Sequence, residues 1–275
     1  MFIQGADSTP SGTVINDPHV ESLTYRVVKP ENVTYNNPPP VNGDLPAFRY
    51  RLENGMLTAE MKEHQAIVET ARECVEEFLR AWELDAALNA DKNEFSFAFQ
   101  RSNVIDRNPS PAGGTRGKSA AVMDLFLTAD KATVEKVKPA YPPPPSGLKP
   151  SLDTETMWHH YSRYLEDREK LTSMGFYCLS LLQWRTGSKT ARQDVAAQYG
   201  IDLEVLKTLG TLTSDIGDLT SARKLEKSSQ VRPHTEKEVA WVKAAVKMLI
   251  RRKAEYDNDP TASLPQITMN DLPQL

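Results

Sequence analysis

The sequence predicts an α+β protein. A small, mainly antiparallel sheet with one long helix is followed by an all-helical half that contains a helix-turn-helix-like unit at about 189–211. Three observations predict this class. Short runs in the N-terminal half alternate apolar and polar residues, as half-buried strands do. From residue 153 onward the apolar residues recur every three or four positions, as in helices. The proline run Tyr141–Pro145 separates the two regions as a stiff spacer.

This pattern divides the chain into four parts. We expect a mobile tail at 1–22, an α+β domain at 23–145, a helical domain at 151–256 and a second mobile tail at 257–275. The tails are predicted to be mobile because they are polar and offer few apolar residues for a core.

In the α+β domain, 23–28 has the composition of a strand. Asn54 and Gly55 separate two further apolar runs, 48–52 and 56–59, and Asn-Gly between two such runs is a strong signal for a hairpin. A helix is predicted from about 59 to 88. Its apolar stripe comprises Met61, Val68, Ala71, Val75, Phe78, Leu79 and Trp82.

Further strands are predicted beyond this helix. Residues 95–99 alternate phenylalanine with small side chains, so they form a half-buried strand that 103–106 either continues or pairs with. The segments 120–127 and 132–137 also have the composition of strands, although the first also fits a short helix.

The helical half begins near Asp153. Gly187 is the expected stop of the helical pattern, and Gly175 is a candidate break within it. The apolar stripe comprises Trp158, Tyr161, Leu165, Leu171, Met174, Cys178, Leu181 and Leu182. Thr235 and Glu238 form a capping box that opens a last helix, which runs to about Tyr256. The predicted buried face of that helix comprises Val239, Val242, Val246, Leu249 and Ile250.

The segment 192–209 has the spacing of a helix-turn-helix. Gly200 lies at the turn, where a positive φ is least costly for glycine, and Asp202 is the expected N-cap of the second helix. The side chains predicted to be buried between the two helices are Val195, Tyr199, Ile201, Leu206 and Leu209.

Charge is unevenly distributed along the chain. The formal net charge is −4, but Arg185–Tyr256 contains 14 basic and 9 acidic residues, a net of +5, and the remainder has a net of −9. A basic segment of this kind suggests a polyanionic partner.

These features predict a non-enzymatic binding protein, with DNA as the specific partner that the helix-turn-helix suggests. Phosphate contacts from a basic helix row would supply most of the affinity. The candidate DNA-contact residues are Lys189, Gln193, Lys207 and Thr208, with Lys243, Lys247 and Arg251 in a row on the last helix, which Arg252 and Lys253 extend.

An adaptor or assembly subunit is the alternative. The second helix of the motif carries Glu204 and has no Arg, Asn or Gln, the side chains that usually contact purine edges. A unit of this shape also packs helices or binds proteins. This alternative predicts an exposed apolar patch on the helical half.

A third hypothesis is a nucleotide-binding enzyme. Residues 112–119 resemble a Walker A phosphate loop with alanine at the first glycine position. The resemblance implies that Lys118 would contact the β and γ phosphates and that Ser119 would hold Mg²⁺. The preceding segment is polar and broken by two prolines, whereas a phosphate loop should follow a buried strand. A basic hairpin loop is therefore the competing interpretation.

No catalytic residues, cofactor or metal site are assigned from the sequence. Glu155 and His159 share a helix face, but a structural metal site needs further ligands. Cys74 and Cys178 fall on apolar stripes and are expected to be buried thiols. Because the sequence has no secretory signal and no membrane-length apolar run, we expect a cytoplasmic protein.

Overall fold

A computed structural model describes residues 17–90, 92, 94–108, 136–186, 190–217 and 230–275. It confirms the α+β class, with a five-stranded sheet and a long helix followed by a helical half. The chain forms two compact units. Unit 1 comprises 1–76 and 97–141, and unit 2 comprises 77–96 and 142–275.

The sheet of unit 1 has the strand order β3-β4-β5-β1-β6. The pairs β3–β4, β4–β5 and β5–β1 are antiparallel. A separate parallel pair joins β2 to β7. The strands are β1 (Pro18–Val28), β2 (Val33–Tyr35), β3 (Val41–Asp44), β4 (Phe48–Glu53), β5 (Met56–Met61), β6 (Ser96–Asp106) and β7 (Lys136–Lys138).

The predicted hairpin is confirmed between β4 and β5. Asn54 and Gly55 both have positive φ, of 52° and 74°, as a two-residue turn with the right twist requires. Residues 96–99 and 103–106 belong to one strand, β6, which begins one residue later than predicted. The predicted strand at 120–127 lies outside the described residues, and 136–137 from the other predicted strand belong to β7.

Two boundaries differ from the prediction. β1 begins at Pro18, so 18–22 is strand and only 1–16 of the predicted tail falls outside the described residues. The long helix, α1 (Val68–Ala90), begins nine residues later than predicted. Met61 is not on its apolar stripe, because 56–61 alternates and pairs with strands on both sides.

His19, near the start of β1, is a buried titratable group of unit 1. Its Nδ1 accepts a hydrogen bond from the Gln65 amide at 3.3 Å, and its ring stacks on His64. Burial, followed by the charges of Arg107 and His64, lowers its pKa below the usual 6.5, although Glu21 and Asp17 act in the opposite direction. The folded state therefore binds a proton at His19 less readily than the unfolded chain does.

We expect His19 to make unit 1 less stable as the pH falls below about 6.5, because the unfolded chain then takes up the proton first. Above that pH both states are neutral and this contribution vanishes. Thermal unfolding followed by NMR between pH 7.5 and 5 should show a smaller loss of stability for His19→Asn than for the wild type. The exposed His159→Asn is the control, and equal pH dependence of all three proteins would contradict the prediction.

Unit 2 has a mainly helical core and includes residues 77–90 of α1. Its buried residues include Met157, Tyr161, Cys178, Leu182, Trp241 and Val246. The helices are α2 (Leu152–Leu165), α3 (Leu171–Thr186), α4 (Ala191–Tyr199), α5 (Leu203–Ser214) and α6 (Glu236–Asn258), with a short strand pair of β8 (Ile216–Gly217) and β9 (Gln230–Val231) between α5 and α6.

The helix break lies at a different place from the predicted one. The chain interrupts its helical pattern at 166–170, where Asp167 adopts a φ of 57°, whereas Gly175 lies inside α3. A β-carbon at Gly175 would lie 2.7 Å from Thr213 Cγ2 and 3.3 Å from Val242 Cγ1. The glycine therefore permits the close approach of α3 to α5 and α6.

The start of α6 matches the prediction. Thr235 and Glu238 form both hydrogen bonds of a capping box. The buried face differs in part, because Val239 is only half-buried and Trp241 is fully buried.

The C-terminal segment differs from the prediction of a mobile tail from residue 257. Ile267 and Leu272 are each only 6% exposed and belong to the core of unit 2. Ile267 also pairs with Ile201 as a parallel bridge. The polar composition suggested mobility, but two apolar side chains and main-chain hydrogen bonds attach this segment to the core.

Candidate functional site

The helix-turn-helix-like unit is formed by α4, a turn and α5. Gly200 ends α4 in the left-handed conformation, with φ 58° and ψ 45°. Asp202 caps α5, because its Oδ1 accepts a hydrogen bond from the Glu204 amide at 3.0 Å. The five predicted apolar side chains of the motif, Val195, Tyr199, Ile201, Leu206 and Leu209, are each at most 2% exposed.

The outward face of α5 carries little net charge. Glu204, Lys207 and Thr211 are exposed and Thr208 is half-buried. The Lys207 ammonium lies 3.9 Å from the Glu204 carboxylate, so the two charges offset each other. Of the candidate DNA contacts on α4, Gln193 is exposed, whereas Lys189 lies outside the described residues.

The candidate row on α6 is half-buried at Lys243, Lys247 and Arg251. Arg251 Nη2 donates to Asp85 Oδ1 at 2.5 Å and to Asn89 Oδ1 at 3.1 Å. Because Asp85 is itself buried, the charge of Arg251 is already paired within unit 2.

Arg252 and Lys253 do not extend this row, because both are buried. A step of about 100° per residue turns them away from Arg251 and toward the core. Lys253 Nζ lies 2.6 Å from Asp257 and 3.5 Å from Asp153. Arg252 donates to main-chain carbonyl groups of the α4–α5 turn.

Among the described residues of unit 2, three large apolar side chains are exposed, and two of them lie on helices. Leu152, at the start of α2, is 76% exposed and Trp184, near the end of α3, is 70% exposed. Asp153 follows Leu152 in the sequence, and Arg185 follows Trp184. These two residues form an ion pair, in which Arg185 donates to both carboxylate oxygens of Asp153 at 2.6 and 2.8 Å. We call this feature the Leu152–Trp184 patch.

Sequence reasoning missed this patch. Leu152 and Trp184 were absent from the predicted apolar stripe, but so was Leu179, which is only 1% exposed. The spacing of apolar residues therefore carried no signal that separates the exposed side chains from the buried ones. The hydrogen bonds from Arg185 and, after them, the charge of Lys253 hold the pKa of Asp153 below its usual value, so the carboxylate of the patch is ionised at neutral pH.

Within the described residues, the candidate metal-binding pair gains no further ligands. Glu155 and His159 are both exposed on α2, and no group of three potential metal-ligating side chains occurs in the described part of the chain. The phosphate-loop candidates Lys118 and Ser119 lie outside it. Cys178 is a buried free thiol whose pKa is raised by burial, and Cys74 is only half-buried.

Comparisons with protein-family models, curated proteins and solved structures found no match to this chain. Among the residues that the structure describes, no helix is both long and apolar enough to cross a membrane.

Proposed function

We propose that the protein is a non-enzymatic adaptor or assembly subunit, and that its helical half binds another protein through the Leu152–Trp184 patch. The exposure of these two side chains is the observation that carries the proposal. Tryptophan is enriched among the residues that dominate binding energy in protein interfaces, and it loses little conformational entropy when it is bound.

The ion pair between Asp153 and Arg185, the residues that follow Leu152 and Trp184 in the sequence, supports this proposal. Arg185 is bonded to Asp153, and its guanidinium carbon lies 4.9 Å from the centroid of the Trp184 ring. These contacts restrict Arg185 and Trp184 before a partner arrives. Binding therefore costs less ordering entropy than it would with free side chains.

DNA is the second candidate partner, and the observation that favours it is the geometry of α4, Gly200 and α5. We rank DNA second because basic side chains that would contact it already lie close to carboxylates of the same chain. Lys207 lies close to Glu204, and Arg251 is paired with Asp85. Each of these lysine or arginine side chains would have to exchange an internal carboxylate for a phosphate.

A paired set of full-chain variants separates the two candidates. We expect Leu152→Ser with Trp184→Ser to remove a specific protein partner, lowering its affinity at least about tenfold if Trp184 is a dominant contact. We expect Lys243→Glu with Lys247→Glu to leave that partner bound. The measurements are photo-crosslinking from position 184 in cells, with exposed Gln198 as the matched control position, and titration of the identified partner.

The same proteins should be titrated with a fluorescent duplex at two salt concentrations. Salt-sensitive DNA binding that is lost in the lysine variant, together with no crosslinked protein specific to position 184, would replace the adaptor proposal with the DNA one. Since Leu152 and Trp184 are exposed, their replacement should change the free energy of unfolding by no more than about 0.5 kcal/mol. Loss of binding would therefore not reflect unfolding.

A further inference from the structure

The C-terminal strap, residues 264–272, binds to the turn of the helix-turn-helix-like unit by main-chain hydrogen bonds. The Ile267 amide donates to the Gly200 carbonyl at 2.9 Å, and the Asp202 amide donates to the Ile267 carbonyl at 2.8 Å. These two bonds flank Ile201 and form a short parallel bridge. The turn thus recognises an extended segment in the way that a sheet edge recognises an added strand.

Arg252 joins the turn to the strap from the side of α6. Its Nη1 donates to the carbonyls of Tyr199 and Gly200 at 2.7 and 3.2 Å, and its Nη2 donates to the Pro265 carbonyl at 2.7 Å. The rigid guanidinium therefore contacts main-chain oxygens of both segments. Gly200 leaves room for this contact, since a β-carbon there would lie 3.1 Å from Arg252 Nη1 and 3.5 Å from the Leu264 carbonyl.

Two apolar anchors fix the strap in the core. Ile267 and Leu272 are both buried there. Between them, the Asp271 carboxylate accepts hydrogen bonds from the Thr268 amide at 2.7 Å and from its hydroxyl at 2.9 Å. This turn brings both anchors to the same core, so the recognised pattern is Ile-Thr-x-x-Asp-Leu.

The strap is connected to α6 by residues 259–263, all of which are exposed. The strap is thus a compact anchor at the end of a solvent-exposed linker. Its contacts depend on main-chain groups and two anchors rather than on continuity with α6.

We propose that the groove formed by the Gly200–Asp202 turn and Arg252 is a peptide-binding site. The strap of the same chain occupies it, and the strap of a second copy can occupy it in exchange. This inference does not depend on the Leu152–Trp184 patch. A short linker presents the chain's own strap at an effective concentration in the millimolar range, so binding within the chain dominates until the strap is weakened.

The test uses a fluorescent peptide of residues 262–275 and the full chain with Ile267→Asp and Leu272→Asp. We expect the variant to bind this peptide at least about 100-fold more tightly than the wild type does, because its own strap no longer competes. A peptide with the same two changes is the matched control and should not bind. A folded variant, checked by circular dichroism, that does not bind the native peptide would overturn the proposal.

A second measurement avoids dependence on that variant. A specific protease site placed at 259–263 allows the strap to be cut from the otherwise unchanged, folded protein. We expect the cut strap to remain bound during gel filtration and to exchange with an excess of labelled peptide. A strap that leaves at once, or one that never exchanges over hours, would contradict a reversible peptide site.

Discussion

Replacing Arg252 with methionine is expected to lower the free energy of unfolding of unit 2 by about 3 kcal/mol. The change removes the hydrogen bonds of a charged donor to main-chain carbonyls and the ion pair with Glu255. Arg252 is 5% exposed. Methionine keeps much of the volume but donates no hydrogen bond. The carbonyl of Tyr199 would lose this donor in a buried setting and that of Pro265 in a partly buried one, which is costlier than losing exposed contacts.

Tryptophan fluorescence during urea unfolding is a suitable measurement for this change. The four tryptophans are Trp82, Trp158, Trp184 and Trp241, and all of them belong to unit 2. Their signal therefore reports that unit selectively.

Two further variants control for charge and for general effects of substitution. Arg252→Lys keeps the charge but lacks the planar fork, so it should recover only part of the lost stability. The exposed Lys207→Met should change stability by no more than about 0.5 kcal/mol. A value for Arg252→Met as small as the value for Lys207→Met would show that the carbonyl contacts contribute little.

Helix α6 has one feature that could be predicted from the sequence, its capping box, and one that could not, the contacts of Arg252. The capping box at Thr235 was predictable because both partners lie within four residues of each other. The role of Arg252 was not predictable, because its partners Tyr199 and Pro265 are distant in sequence. Both partners also accept through main-chain oxygens, which every residue has. A cluster of positive charge suggested a solvent-exposed row, whereas helix geometry turned one of its arginines inward.

In the candidate site, too, local features could be predicted from the sequence and contacts between distant residues could not. The apolar spacing around Gly200 predicted the two helices and their turn because that information is local. The strap and the ion pair between Asp153 and Arg185 could not be predicted. They depend on which helix faces pack together, and a single sequence does not specify those distances.

Gly175 offers the second large effect, because a β-carbon there would meet side chains of both α5 and α6. Gly175→Leu is expected to cost about 3 kcal/mol or to prevent folding of unit 2, since overpacked side chains force their neighbours to move. The first contact would be with Thr213 Cγ2. Thr213 cannot rotate away freely, because its hydroxyl donates to the Leu209 carbonyl at 2.7 Å.

A double-mutant cycle isolates this contact. Gly175→Ala adds one methyl group and gains about 1 kcal/mol in helix propensity, but we expect the collision with Thr213 to make it destabilising overall. Thr213→Ser removes Cγ2 and keeps the hydroxyl, so Gly175→Ala should be stabilising in that background. The change of sign, measured by urea unfolding, would establish that Thr213 requires glycine at 175. The same destabilisation in both backgrounds would instead assign that requirement to Val242, whose Cγ1 lies 3.3 Å from the same position.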